Sequence, residues 1–93
     1  MKKENKPISV KEIILSFIGV LAQTSWEYMG LVANSITGKV HKDMDEAKFA
    51  IDTIDVLLEK VKSKLTEKEL KDIERTIDDL KINYVMQLNK EGE

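Results

Sequence analysis

Thr37-Gly38-Lys39 is the first place in this chain where residue types and order suggest chemistry, because a phosphate-cradling loop ends in a Gly-Lys pair. That motif needs a glycine five residues before Gly38 and a hydroxyl residue after the lysine. Ala33 and Val40 stand there, and no strand-like run precedes them. His41 is the sole histidine, with only Asp43 close in sequence to orient it, and a catalytic imidazole needs more partners than that. Asp52, Asp55 and Glu59 can share one side of a helix, as paired carboxylates in acid–base or metal sites do. Lys48 and Lys62 flank them at helical spacing, the charge mixing of a solvated face, and the Glu-x-x-His ligands of two-metal bundles are absent. No catalytic, cofactor-binding or metal-ligating residue is therefore assigned, and no cofactor is expected.

The most specific local feature is Asn34-Ser35-Ile36-Thr37-Gly38. Asn and Thr side chains bond to nearby backbone groups, and glycine permits a turn that strains other residues. Such a loop is either an ordered corner or a small binding surface. A ligand-binding or catalytic module here would draw on Asn34, Thr37, Gly38, Lys48 and Asp52.

Those residues need helices to hold them. Ser9 and Glu12 form an S-x-x-E capping box that opens helix 1, expected at about 9–29, with Gly30 as its left-handed terminator. Ile8 is placed to staple against Ile13 or Ile14. Residues 30–43 connect to helix 2, expected at about 44–64 and opened by Asp43 with Glu46. Met44, Ala47, Ile51, Ile54, Leu58, Val61 and Leu65 follow an unbroken 3-4 spacing, a coiled-coil-like seam. Thr66 and Glu69 restart the chain at once. Leu70, Ile73, Ile77, Leu80, Tyr84 and Leu88 then repeat the seam along helix 3, expected at about 67–89. So short a break joins antiparallel neighbours. Residues 1–8 read as a flexible polar tail and 90–93 as a frayed end. The fold class is all-α, in one domain: an apolar N-terminal helix packed on an antiparallel helical hairpin and completed by oligomerisation.

Composition narrows the function classes. At 93 residues the chain forms one small domain, and without cysteine it lacks disulfides and thiolate metal sites. Fifteen basic and 17 acidic residues leave a net charge of −2, and Arg75 is the sole arginine, a balance that argues against a nucleic-acid binder. A nucleic-acid contact through Lys39, Lys42 and the basic tail is the weakest of the readings. No signal-peptide layout is seen, since Glu4, Lys11 and Glu12 interrupt the approach to the apolar run. The expected setting is cytoplasmic.

Against a charged fraction of 34%, Ile13 to Trp26 carry no formal charge. An outer helix of a small monomer needs one apolar stripe. This one is apolar nearly all round, and it falls short of the ~20 residues that span a bilayer. It must be covered on more than one side. Ile14, Phe17, Ile18, Leu21 and Trp26 are the candidate interface, with a homo-oligomer (a dimer by preference) as the expected partner and another protein docking on helix 1 as a further option. A closed monomeric three-helix bundle is the alternative. Trp26, Tyr28 and Met29 either grip a partner or pack against the following loop.

Taken in order, these residues resemble a bacterial family catalogued as domain of unknown function number 1844. Its pattern runs through an F-x-x-x-L-A helix, an L-G-L turn, an N-P-x-T-G loop, an A-K-x-x-I-D helix and a closing helix that ends in Y-V. The chain has Phe17, Leu21-Ala22, Met29-Gly30-Leu31, Asn34 to Gly38, Ala47-Lys48 with Ile51-Asp52, Leu65-Thr66 and Tyr84-Val85. Ser35 stands where the pattern has proline, Met29 where it has leucine, and in the pattern's E-K-T-x-G-x-L-T turn Glu59-Lys60 and Leu65-Thr66 match while Val61, Ser63 and Lys64 depart. The resemblance covers about residues 13–86. It implies a small bacterial helical protein of unknown function, and no activity, substrate or catalytic residue. The function expected from these features is a non-enzymatic interaction or assembly module, with the small-ligand module at the Asn34–Gly38 loop as the alternative.

Overall fold

A computed structural model describes residues 7–91. The expected tail falls largely on 1–6, and the last of the frayed end on 92–93, outside the described residues. Three helices follow in order: α1 (Val10–Tyr28), α2 (Met44–Val61) and α3 (Glu67–Glu91), with a single 3₁₀ turn at Lys62–Lys64 between the last two. The fold is all-α, and α1 packs on both α2 and α3.

Local signals set the helix ends. The Ser9 hydroxyl accepts the Glu12 N–H at 3.1 Å and caps α1. Ile8, however, stays exposed, so the staple expected of it buries little. At the other end Gly30 adopts φ +82°. Its N–H reaches the Glu27 carbonyl at 3.0 Å, and the Leu31 N–H reaches Trp26 at 3.2 Å. These two bonds make a Schellman ending, which satisfies carbonyls that the helix leaves open. Asp43 caps α2 by accepting the Glu46 N–H at 3.2 Å. Thr66 and Glu69 complete both halves of their box: the Glu69 N–H donates to the Thr66 hydroxyl at 3.1 Å, and the Thr66 N–H to the Glu69 carboxylate at 2.9 Å.

The seams converge on one core. Met44, Ala47, Ile51, Ile54 and Val61 of α2 are buried together with Ile18 and Ala22 of α1, Met29 at its C-cap, and Ile77 and Leu80 of α3. Leu58, Leu65, Ile73 and Tyr84 pack at its margin. Two positions depart from the expected seam, and the first, Leu70, is half-buried outside this cluster. At the last turns of α3 Leu88 is exposed and Gln87 is buried, reached by Lys42 Nζ at 3.4 Å. Both residues continue a 3-4 spacing after Tyr84, and only the position of the neighbouring chain chooses between them.

The result is elongated, 56 × 29 × 17 Å, with a radius of gyration of 15.5 Å. A compact chain of this length has a radius of roughly 12 Å. Helix α1 packs along α2 more extensively than either packs on α3, so the molecule is thin in one direction and leaves helix faces uncovered. Ion pairs among the described residues tie α3 to the others, Lys11–Glu69 at 2.9 Å from α1 and Asp55–Lys81 at 3.0 Å from α2.

The Glu69 pair has a pH signature. The Thr66 N–H, and then Lys11, hold the Glu69 carboxyl below its ordinary 4.5. A carboxylate lowered by folding stabilises the native state above its unfolded pKa, and that contribution disappears as pH falls through the folded value. Melting temperature is therefore expected to fall on acidification from about pH 5 downward, with a shallower fall in Glu69→Gln. Parallel acid profiles for the two proteins would refute this role for Glu69.

Candidate functional site

The loop after α1 is ordered by Asn34. Its side-chain carbonyl accepts the N–H groups of Ile36 and Thr37, each at 2.9 Å. The backbone closes around it, with the Asn34 N–H on the Lys39 carbonyl and the Gly38 N–H on the Asn34 carbonyl, both at 2.8 Å. Gly38 meets this turn with φ +73°, a left-handed conformation that favours glycine. The Thr37 hydroxyl accepts the Lys39 N–H and contacts His41 Nε2 at 3.1 Å. His41 is thus held by Thr37, while an Asp43 oxygen caps α2.

The Asn34 amide nitrogen donates in the other direction, to Glu27 Oε1 at 3.1 Å. Glu27 is 6% exposed although it lies on the side of α1 away from the core, because the loop folds back over that end of the helix. Gln23 Nε2 donates to its second oxygen at 3.3 Å. A carboxylate out of water needs such donors. Sequence reading does not single out Glu27. Its signal is faint: the first charge after a neutral run, four residues after Gln23 and seven before Asn34. Removing the Asn34 amide strands a buried carboxylate oxygen and frees the loop, a loss of about 1–3 kcal/mol. Asn34→Ala should accordingly lower the melting temperature by roughly 5–20 °C, as followed by circular dichroism. An unchanged melt would refute the organising role of Asn34.

Beside the loop runs an open groove of about 740 Å³, lined by Ser16, Gly19, Val20, Gln23 and Glu27 of α1 and walled at one end by Asn34 to Ile36. Of the candidate loop residues, Asn34 lines this groove. Lys48 and Asp52 are not among its lining residues; they pair with each other on exposed α2 at 2.7 Å. The hydrogen-bonded Asp52 carboxylate raises the Lys48 ammonium above its ordinary 10.5. A lysine acting as base or nucleophile needs the opposite shift. The other carboxylates considered also sit beside lysines, Asp55 with Lys81 and Glu59 with Lys62. Among the described residues no group of three or more His, Cys, Asp or Glu is placed to hold a metal ion. No helix there is long and apolar enough to cross a membrane.

The five candidate interface residues divide. Ile18 lies in the core, and Ile14, Leu21 and Trp26 pack against it within the protomer. Met29 is fully buried and Tyr28 packs beside it, so the aromatic cluster closes the end of the core. Phe17 alone of the five is exposed. It is joined by Val10, Ile13 and Val20 in a 3-4-3 row, 39–69% exposed, which is the spacing of a second helix seam. Val10 and Val20 share that spacing, yet sequence reading does not single them out, because in a helix apolar on nearly every side no one row stands out.

A family model described as domain of unknown function (DUF1844) matches residues 11–86. No curated protein matches the chain, and no solved structure does.

Proposed function

The chain belongs to the DUF1844 family of domains of unknown function, and on that premise we propose that it is a non-enzymatic helical assembly module that pairs with a second copy through α1. The row Val10-Ile13-Phe17-Val20 carries this reading. It is apolar and solvent-exposed, and no formal charge interrupts the helix from Ile13 to Trp26. Contiguous apolar patches on a small protein mark interaction sites. The thin shape of the protomer adds support, because packing a second copy on α1 supplies the layer it lacks. A two-fold pair is the commonest closed solution, since one patch serves both subunits. The proposal includes a bacterial, cytoplasmic setting, which the family resemblance and the described helices favour; cell fractionation tests it.

Light scattering across a dilution series tests the assembly. The expected mass is twice the 10.6 kDa of one chain. A monomer at every concentration would overturn the reading.

One observation favours the second reading, a small-ligand module. The groove beside Asn34 brings Gln23 and Glu27 together with apolar Val20 and Ile36, a mixture that small-molecule sites also use. Its test is a thermal-shift screen of nucleotides, metabolites and metal ions. A saturable shift that Gln23→Ala abolishes would favour it over assembly; no shift across the screen would count against it.

A further inference from the structure

We infer that the two copies pair antiparallel, with the N-terminal half of each α1 lying along the other's groove and meeting its Asn34–Ile36 loop. This rests on the proposed self-assembly through α1 and adds its geometry.

Area makes the first argument. A stable interface buries roughly 800 Å² per partner and engages about 20–30 residues a side. One 19-residue helix, with only its outer face free, presents fewer residues than that. The rest has to come from what stands next to that face, and the groove is walled by the loop, where Ile36 is 91% exposed. An isoleucine on a turn pinned by hydrogen bonds around Asn34 is a rigid apolar knob, ordered before any partner arrives.

Direction follows from where the loop stands. It rises beside the C-terminal half of α1, over Thr24, Glu27 and Tyr28, while Val10, Ile13 and Phe17 at the other end lie outside the groove lining. In a parallel pair the two loops would stand at the same end and hold the helices apart there. In an antiparallel pair each loop meets the partner's unobstructed N-terminal half, so Ile36 packs near the second copy's Val10 and Ile13. The middle of the face allows close approach. A Cβ added at Gly19 would meet nothing within 4 Å, so the backbone there is bare. The helix dipoles also oppose favourably in this direction.

Charge selects the occupant. A partner rich in acidic or basic groups would have to strip them of water against a row that offers no counter-charge from Ile13 to Val20, with Lys60 and Lys64 standing only at its Val10 end. A second copy brings the same neutral face.

Crosslinking of the 93-residue chain decides the geometry. The chain has no cysteine, so an introduced thiol is unique. Val10→Cys and Ile36→Cys chains are mixed, allowed to exchange, and treated with a short bis-maleimide. The mixture should yield a link between position 10 of one chain and position 36 of the other. Val10→Cys alone should link at least tenfold less, because antiparallel pairing sets the two copies of position 10 about 25 Å apart along the axis. Mass spectrometry of the linked peptides identifies each product. Efficient Val10→Cys self-linking in a protein of dimeric mass would overturn the antiparallel geometry and leave assembly through α1 standing. A dimeric mass with neither link would place the interface away from α1. A monomeric mass overturns both readings.

Discussion

Phe17→Asp is expected to turn the proposed pair into folded monomers. The side chain is 55% exposed in the protomer, so an aspartate there remains hydrated when the chain is alone, and the core around Ile18 is untouched. In the proposed pair the same position is covered by the second copy, and symmetry doubles every substitution. Two carboxylates then lose water close to each other, with no positive group on the face to receive them. At roughly 2 kcal/mol or more for each uncompensated charge, the Kd rises by about three orders of magnitude. Light scattering should read a single-chain mass while circular dichroism retains the helical signal. Phe17→Leu, which keeps the apolar contact, should still associate. A Phe17→Asp protein of unchanged mass would move the interface elsewhere. One that loses its helices would show that Phe17 supports the core.

Ile54→Ala should do the reverse and unfold rather than dissociate. Ile54 is 0% exposed, at the centre of the α2 seam, among residues contributed by all three helices. Shortening a buried isoleucine to alanine costs about 2–5 kcal/mol, partly for the atoms removed and partly for the cavity left. A small domain has only about 5–15 kcal/mol in total. The melting temperature should drop by roughly 10–30 °C, with folded protein scarce at the upper end. A drop under about 3 °C would mean that the core closes over the gap, as a loosely packed bundle does. Leu80→Ala, also fully buried on α3, is expected to behave alike.

The contrast between Phe17 and Ile54 marks where sequence reasoning reached its limit. Along α2 an unbroken 3-4 row of apolar residues stands against a charged background, with Phe49 and Val56 off it and exposed, so the periodicity identifies the buried face. Met44, Ala47, Ile51, Ile54 and Val61 are all in the core. The helix ends were equally legible. Ser9, Asp43 and Thr66 cap locally, and Gly30 terminates by a conformation that glycine adopts at little cost. Such signals act within one turn of helix and need no tertiary context. The family was legible too, through the order of short motifs from Phe17 to Val85.

Helix α1 is different. Apolar on nearly every side, it gives periodicity nothing to contrast, and only packing separates Ile18, inside the protomer, from Phe17, outside it. The candidate site divides the same way. The sequence alone determined that Asn34 to Gly38 form an ordered corner or a binding surface, since Asn, Thr and Gly have local turn chemistry. That the Asn34 amide reaches Glu27, that Glu27 is thereby buried, and that a groove runs from there along Gly19 and Ser16 were decided by tertiary structure alone. Hydrogen bonds between residues seven apart and the shelter of a carboxylate depend on where the chain turns back, and no local preference encodes that.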